Sequence, residues 1–282
     1  MTAQQIAVLP WNLWLRQLDA VVRLELKKSF FNKRAFWIYA LALLPVIIFA
    51  VHSVIMIKKG RSDHTLGEDM MIFAGTFQFF YLKLGVFFGC VGVFSHLFRG
   101  EMLARTMHYY FLAPVRREVV ALGKYLAGLT ASATVFVLSI VLTYYWTGMH
   151  FGEEFTSYLR KEGLAHLGWY VLVTILACIG YGALFLLLGK LFRNPMIPAA
   201  TVMVWEGING FLPAILKKVS VIFYLKSLCP VNVPLRGVMA LIATDADPAP
   251  AWAAIPGLLL VSAAVLAYAS IHVRKLEISY SD

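Results

Sequence analysis

Two oppositely charged residues lie inside long apolar stretches of this chain, where ionised groups are rare. Lys83 lies near the middle of the stretch from Met71 to Phe98. Glu206 lies at a similar depth in the stretch from Met196 to Leu216. An ionised group at the centre of a bilayer costs at least about 2.5–3.5 kcal/mol on insertion scales. The pair therefore predicts either an interhelical ion pair or network that fixes two helices in register, or the charged lining of a polar pathway.

Sequence motifs for enzyme chemistry are absent. The chain contains no H-E-x-x-H zinc motif and no G-x-x-x-x-G-K-S/T phosphate loop. His150 and His166 flank a polar segment and could in principle meet at a metal ion, but isolated loop histidines of this kind are far more often solvated. The three cysteines are too few and too scattered for a disulfide framework or a metal site. The sequence therefore predicts no catalytic residue, no cofactor-binding residue and no metal ligand.

The composition is that of a membrane protein. Of the 282 residues, 60% are hydrophobic and 14% are charged, whereas a soluble domain carries about 25% charged residues. This excludes a soluble enzyme, a disordered tail and a secreted disulfide scaffold. A bilayer core about 30 Å thick needs about 20 helical residues. Six apolar segments reach this length: Ala35 to Ile57, Met71 to Phe98, Tyr125 to Thr147, Leu164 to Gly189, Met196 to Leu216, and Ala251 to Val273.

The distribution of basic residues sets the predicted topology. The chain has 25 Lys and Arg against 15 Asp and Glu, a net charge of +10. Most of the excess falls in the N-terminal segment, in the loops Arg99–Lys124 and Lys190–Arg193, and in the C-terminal tail. By the positive-inside rule these segments face the cytoplasm. The sequence thus predicts an integral protein of a bacterial-type cytoplasmic (inner) membrane, with both termini in the cytoplasm.

An amphipathic helix is predicted before the first span. Trp11, Trp14, Leu18 and Val21 recur at steps of three and four residues, and polar residues recur on the opposite face. A basic cluster follows. Such a helix either lies flat in the cytoplasmic leaflet or packs on neighbouring spans.

The predicted fold is therefore an all-α polytopic membrane protein in three parts. Residues 1–34 form the N-terminal amphipathic helix with its basic cluster, and residues 274–282 form a cytoplasmic tail. Residues 35–273 form a six-helix transmembrane domain. Within that domain, residues 217–250 are expected to lie on or dip into the outer leaflet, with their lysines at the membrane surface.

The cytoplasmic loop between the second and third predicted spans carries the most informative pattern. It predicts a short helix from about Gly100 to Leu112, which ends because Pro114 disfavours helix in the residue before it. In chain order the loop contains an acidic residue, a threonine, a leucine, a proline–valine pair and a glycine–lysine pair. These residues are Glu101, Thr106, Leu112, Pro114, Val115, Gly123 and Lys124.

This order and spacing resembles the ABC-2-type permeases, the membrane subunits of a large class of ABC transporters that are mostly exporters. Six spans, cytoplasmic termini and a preceding amphipathic helix also match that family. Arg105 stands where many members have glycine, and His108 where an acidic residue is common, which indicates a divergent branch. The resemblance implies that residues 100–112 form a coupling helix seated on an ATPase subunit. The residues that it implies contact the ATPase are Glu101, Met102, Arg105, Thr106, Tyr109 and Tyr110.

The resemblance further implies a permease subunit of an ATP-driven exporter, which forms the translocation pathway as a dimer. Its partners would be a separate ATPase subunit that binds the ATP, a second identical or related permease, and membrane lipid, with no nucleic acid. The chain itself would be no enzyme. Two alternatives stay open: a membrane-anchoring subunit of a redox or assembly complex without transport, and a stand-alone channel or secondary carrier. The sequence does not identify the substrate.

Overall fold

The computed structural model describes residues 11–30, 35–60, 64–103, 112, 115–192, 194–233 and 247–274. Every regular element in these ranges is helical, which confirms the predicted all-α fold class. Most of the predicted coupling helix, residues 104–111, and the predicted tail from residue 275 lie outside the described ranges.

The helices follow one another with short connections. Two π-helical segments, whose backbone hydrogen bonds span five residues, each run directly into the long helix that follows them. In chain order the elements are α1 (Trp11–Phe30), α2 (Ala35–Lys59), α3 (Leu66–Thr76), a first π-helical segment (Phe77–Gly85), α4 (Val86–Leu103), α5 (Arg117–Gly148), a 3-10 turn (Met149–Phe151), α6 (Glu153–Tyr158), a second π-helical segment (Leu159–Gly163), α7 (Leu164–Leu191), α8 (Met196–Ile208), a second 3-10 turn (Asn209–Phe211), α9 (Ala214–Lys217), α10 (Val221–Ser227) and α11 (Ala251–Arg274).

Five continuous helical stretches within the described residues are long and apolar enough to cross a membrane. They confirm five of the six predicted spans and indicate an integral membrane protein. Each has between 21 and 39 residues, against the roughly 20 that a bilayer core requires. The five stretches are Phe36–Lys59, Leu66–Leu97, Arg117–Phe151, Glu153–Leu191 and Ala251–Ile271.

The fifth predicted span, Met196 to Leu216, is wrong as a continuous helix. α8 has 13 residues, which is about 20 Å of helix and too short for a core of about 30 Å. A 3-10 turn follows, and Leu212 then has an extended backbone with φ −76° and ψ 152°. Pro213 explains this geometry because proline disfavours helix in the residue before it. The stretch is apolar enough to span, but its backbone does not stay helical.

The chain continues beyond this break as a second short helix beside α7. Val221, the first residue of α10, lies against Gly180 in the middle of α7. Further along, the carbonyl of Val231 accepts a hydrogen bond of 2.8 Å from Gln78 Nε2 in the first π-helical segment. Val233 then lies against Gly75 in α3. α8, the break and α10 thus form an interrupted helical element. The part after the break packs against α7, the first π-helical segment and α3.

The α3–α4 element and α7 form a central pair that runs in the same direction. Near its start, Phe73 packs edge-on against Tyr170, with ring centroids 5.1 Å apart. At its far end the backbone of Ser95 lies directly against Gly189. Small residues at such a crossing let two membrane helices approach closely.

Substituting Gly189 by alanine is expected to push α4 and α7 apart. An added Cβ would lie 2.6 Å from Ser95 Cα and 2.7 Å from Ser95 O, and backbone atoms cannot move aside as a side-chain end can. Overpacking of this kind costs about 1–3 kcal/mol. We expect a lower melting temperature in detergent by scanning fluorimetry. Gly168→Ala on the same helix is the matched control because no described atom lies within 4 Å of its Cβ position. Equal melting temperatures for the two variants would contradict the close crossing.

The helix predicted before the first span is present as α1, and it packs on the first turns of α5. Val21 Cγ1 lies 2.7 Å from the position that a Cβ of Gly123 would occupy, so this approach requires glycine. The Arg116 guanidinium lies 4.4 Å from the centroid of the Trp14 ring, a cation–π contact. We call this end of the bundle, where α5 begins and α4 and α7 finish, the α1 end.

Candidate functional site: charged groups buried in the helix bundle

A cavity of about 250 Å³ lies between α8 and the first π-helical segment. Its polar lining residues are Lys83, Tyr181 and Glu206. The structure therefore brings together the two charged residues that the sequence singles out. Apolar residues and one glycine complete the wall: Phe79, Leu84, Phe87, Met203 and Gly207.

The Glu206 carboxylate holds the start of α10 in place. It accepts hydrogen bonds from Ser220 Oγ at 2.7 Å, from the Val221 N–H at 3.0 Å and from the Ile222 N–H at 2.8 Å. The first N–H groups of a helix have no partner within that helix, so an acceptor placed here satisfies them. The Tyr181 hydroxyl donates a further, longer bond at 3.4 Å. Glu206 at the end of α8 thus caps the start of α10 across the break. Hydropathy alone could not show this contact.

The Lys83 ammonium packs against an aromatic ring that a second cation shares. Its Nζ lies 5.4 Å from the centroid of the Phe79 ring, and Lys226 Nζ from α10 lies 5.2 Å from the same centroid. Lys226, one of the lysines predicted to lie at the membrane surface, makes this contact from α10. Cation–π attraction stabilises an ammonium where water is scarce. Glu206 lies within electrostatic range of Lys83, although its hydrogen bonds go to α10 and Tyr181.

A second group of charges links α1, α4 and α5 at the α1 end. We call Glu25, Lys28, Glu101 and Lys124 the charge cluster. The side chain of Lys124 is fully buried, and its Nζ lies 2.7 Å from Glu25 Oε1 and 2.8 Å from Glu101 Oε2. Lys28 Nζ lies 3.0 Å from Glu101 Oε1 and 3.6 Å from Glu25 Oε1. Two cations and two carboxylates make the cluster neutral, so each buried charge has an opposite partner.

Glu101 is one of the six residues predicted to contact an ATPase, and its carboxylate faces inward. The residue is 8% exposed, and its two oxygens lie against Lys28 and Lys124. Of the other five, Met102 belongs to α4 by its backbone. The remaining four lie outside the described residues: Arg105, Thr106, Tyr109 and Tyr110.

Sequence reasoning missed the contribution of α1 to the charge cluster. A signal for it exists, because Glu25 follows Val21 by one helical turn and both are buried. An acidic residue on the apolar face of a helix needs a buried partner. Nothing in the sequence identifies Lys124 as that partner, since the two residues lie in helices separated along the chain by three others.

Comparison of the chain with family models, with curated proteins and with solved structures finds no match. The described residues define a class of protein: an α-helical integral membrane protein with five continuous apolar helices and an interrupted helical element. Its candidate functional groups are the charges of the cavity and of the charge cluster.

Proposed function

We propose that this chain is the permease subunit of an ATP-driven transporter of the ABC-2 type, and that it works as an exporter. The observation that carries the proposal is the charge cluster. Through Glu25, Glu101 and Lys124 it ties α1 to the end of α4 and the start of α5, the two helices that flank the loop with the permease-like motif. A displacement of that loop would therefore be passed to three helices together.

The proposed orientation places the α1 end in the cytoplasm. The described basic residues Lys27, Lys28, Arg116 and Arg117 belong to this end, and the positive-inside rule puts such residues on the cytoplasmic side. α1 is then the amphipathic helix at the cytoplasmic face. The interrupted α8–α10 element makes the sixth crossing, so that both termini are cytoplasmic in a bacterial-type inner membrane.

The proposed pathway passes the cavity between α8 and the first π-helical segment. Two permease subunits would enclose the pathway, and substrate would enter from the cytoplasm or the inner leaflet. Closure of the ATPase pair on ATP would move the coupling segment and tilt the spans. This chain would bind no cofactor and catalyse no reaction, because ATP is bound and hydrolysed by the partner.

The interrupted element favours a second candidate, a stand-alone secondary carrier. Such carriers commonly have discontinuous helices near the middle of the membrane, beside the substrate site. Here α8 breaks next to the cavity that Lys83 and Glu206 line. The two candidates differ in the source of energy, which is an ATPase partner for the first and an ion gradient for the second.

Purification of the tagged chain from its native membrane in mild detergent is expected to recover an ATPase with a phosphate loop. The variant Arg105→Glu is expected to reduce this recovery. Loss of an interface hot spot costs about 2 kcal/mol or more, which is about 30-fold in affinity. Arg160→Glu is the matched control because Arg160 is an exposed arginine in the second π-helical segment, at the other end of the bundle.

Two results would contradict the permease proposal. One is an ATPase that co-purifies equally well with wild type and Arg105→Glu, which would remove the coupling role of the loop. The other is substrate uptake into liposomes that contain this chain alone and an ion gradient, which would establish the carrier.

A further inference from the structure

Three side chains from distant parts of the sequence meet at the end of the bundle opposite the α1 end. His52 comes from α2, Asp69 from the first turn of α3, and His150 from the 3-10 turn after α5. His52 Nε2 lies 3.7 Å and His150 Nε2 lies 3.3 Å from the same atom, Asp69 Oδ2. One potential ligand atom from each residue lies within 4.8 Å of the other two.

The expectation that His150 is a solvated loop histidine is wrong. Its side chain is 1% exposed, and its ring packs against Phe151 at a centroid distance of 4.1 Å. His166, the other histidine noted in this region, lies elsewhere and has its own partner, with Nδ1 2.9 Å from the Tyr158 hydroxyl. His150 therefore belongs with His52 and Asp69 rather than with His166.

The buried polar atoms of this group are not satisfied by hydrogen bonds from the described residues. Asp69 is 3% exposed, and its Oδ1 has no hydrogen-bond partner. Neither ring nitrogen of His150 has one either, although Nε2 is close to Asp69. Burying polar groups without partners costs free energy. An occupant that accepts electron pairs from nitrogen and oxygen would remove this cost.

We propose that His52, Asp69 and His150 bind a divalent transition-metal ion, with Zn²⁺ as the ion that fits best. Zn²⁺ binds imidazole nitrogen at about 2.0–2.1 Å and carboxylate oxygen at about 2.0–2.2 Å, in tetrahedral geometry. Ligand atoms of such a site lie about 3.4 Å apart by that geometry. The 3.3 Å and 3.7 Å separations from Asp69 are close to this value, and the separation between the two histidine ligand atoms is at most 4.8 Å, so binding would draw the two rings together.

The donor set selects the class of metal. Two imidazoles and one carboxylate suit zinc and its neighbours, whereas Ca²⁺ and Mg²⁺ prefer sites made of oxygen atoms. Three protein ligands leave one position open for water. The His52 side chain is 38% exposed, which gives the ion a route of entry on that side.

The proposed site would join α2, α3 and α5 where these helices meet. Because His150 follows the end of α5, whereas Lys124 of the charge cluster lies near its start, the metal would stabilise the end of the bundle opposite the α1 end. The site does not depend on an ATPase partner. A failure of this proposal therefore leaves the proposed transport function unaffected, and the reverse also holds.

The test uses the untagged full-length chain in detergent micelles, stripped with a chelator and titrated with Zn²⁺ by calorimetry. We expect one Zn²⁺ per chain, and a visible spectrum of tetrahedral Co²⁺ when Co²⁺ replaces it. Asp69→Asn keeps the shape of the side chain and is expected to weaken binding by at least about 100-fold, since loss of even an outer-shell partner costs about 10–100-fold. His166→Ala is the matched control and is expected to bind as the wild type does.

Two results would overturn the metal site. The first is a wild-type chain that shows no saturable binding at one ion per chain. The second is Zn²⁺ affinity in Asp69→Asn and His150→Ala equal to that of His166→Ala, which would mean adventitious binding elsewhere. Circular dichroism and size-exclusion profiles check that each variant folds. If His150→Ala does not fold, His52→Ala replaces it, because the partly exposed His52 side chain contributes less to packing.

Discussion

Replacing Lys124 with methionine is expected to lower the free energy of unfolding by about 3–5 kcal/mol, the cost of removing one partner from a buried ion pair. Methionine retains a long apolar stem but no charge. The substitution leaves the carboxylates of Glu25 and Glu101 together at a buried site. Lys28 also contacts both carboxylates, but its side chain is 51% exposed and stabilises them less than a buried cation does. Repulsion between the two carboxylates and their poor solvation would then separate α1 from α4 and α5.

The measurement is unfolding in mixed micelles, followed by circular dichroism. Lys190→Met is the matched control because Lys190 Nζ is buried without a hydrogen-bond partner among the described residues. Replacing Lys190 removes the desolvation cost of its ammonium, so the free energy of unfolding of Lys190→Met should stay unchanged or rise. Adding Glu25→Gln to Lys124→Met should recover part of the loss, since one uncompensated carboxylate is removed. Equal destabilisation by Lys124→Met and Lys190→Met would show that ion pairing is not the source of the effect.

Replacing Glu206 with alanine is expected to cost about 3 kcal/mol, because the N–H groups at the start of α10 lose their acceptor. Each buried donor left unsatisfied costs about 1–3 kcal/mol, and Glu206 accepts from two backbone N–H groups as well as from Ser220. The expected result is local loss of order around the break between α8 and α10. Faster amide hydrogen exchange in Val221 and Ile222 would report it, together with a lower melting temperature.

Lys83→Met is the comparison that separates structure from transport at the same cavity. The methionine stem can still pack on Phe79, and removal of a partly buried ammonium offsets part of the lost contact, so the stability change should stay below the roughly 2 kcal/mol of a desolvated cation–π contact. Transport is expected to fall all the same if the charge lines the pathway. Wild-type transport by Lys83→Met would exclude Lys83 from the pathway, and unchanged stability of Glu206→Ala would exclude the capping role of Glu206.

The five long helices could be predicted from the sequence because each depends only on the hydropathy of its own stretch of chain. About twenty consecutive apolar residues are enough to decide that a stretch is buried in a bilayer. α1 could be predicted for a similar reason, since Trp14, Leu18 and Val21 repeat at the helical period within a few turns. Such patterns need no knowledge of which helix lies beside which.

The interrupted element could not be predicted in this way. Hydropathy reports whether Met196 to Leu216 is apolar, and it is. Whether the backbone stays helical there depends on Pro213 and on where the free N–H groups of the next helix find an acceptor. Glu206 supplies that acceptor from the preceding helix, which is a tertiary contact.

The charged groups also show that tertiary contacts cannot be predicted from the sequence pattern. Lys83 and Glu206 stand out because a charge in an apolar stretch is conspicuous. Asp69 does not stand out and His150 is noted only as a loop histidine, because both lie at helix ends where polar residues are ordinary. Only the arrangement of α2, α3 and α5 shows that these two residues meet, and a single sequence carries no pattern for that arrangement.

The shortness of α8 also bears on how this protein enters a membrane during its synthesis. A helix of 13 residues is too short to be released into lipid as an independent span when it leaves the insertion machinery. The Glu206 carboxylate at the end of α8 must stay shielded until Ser220, Val221 and Ile222 have been synthesised and donate their hydrogen bonds to it. By then α7, whose Tyr181 lines the same cavity as Glu206, has already been synthesised. Insertion of this part of the chain is therefore a folding step templated by an earlier helix, and its order in time follows the order of the sequence.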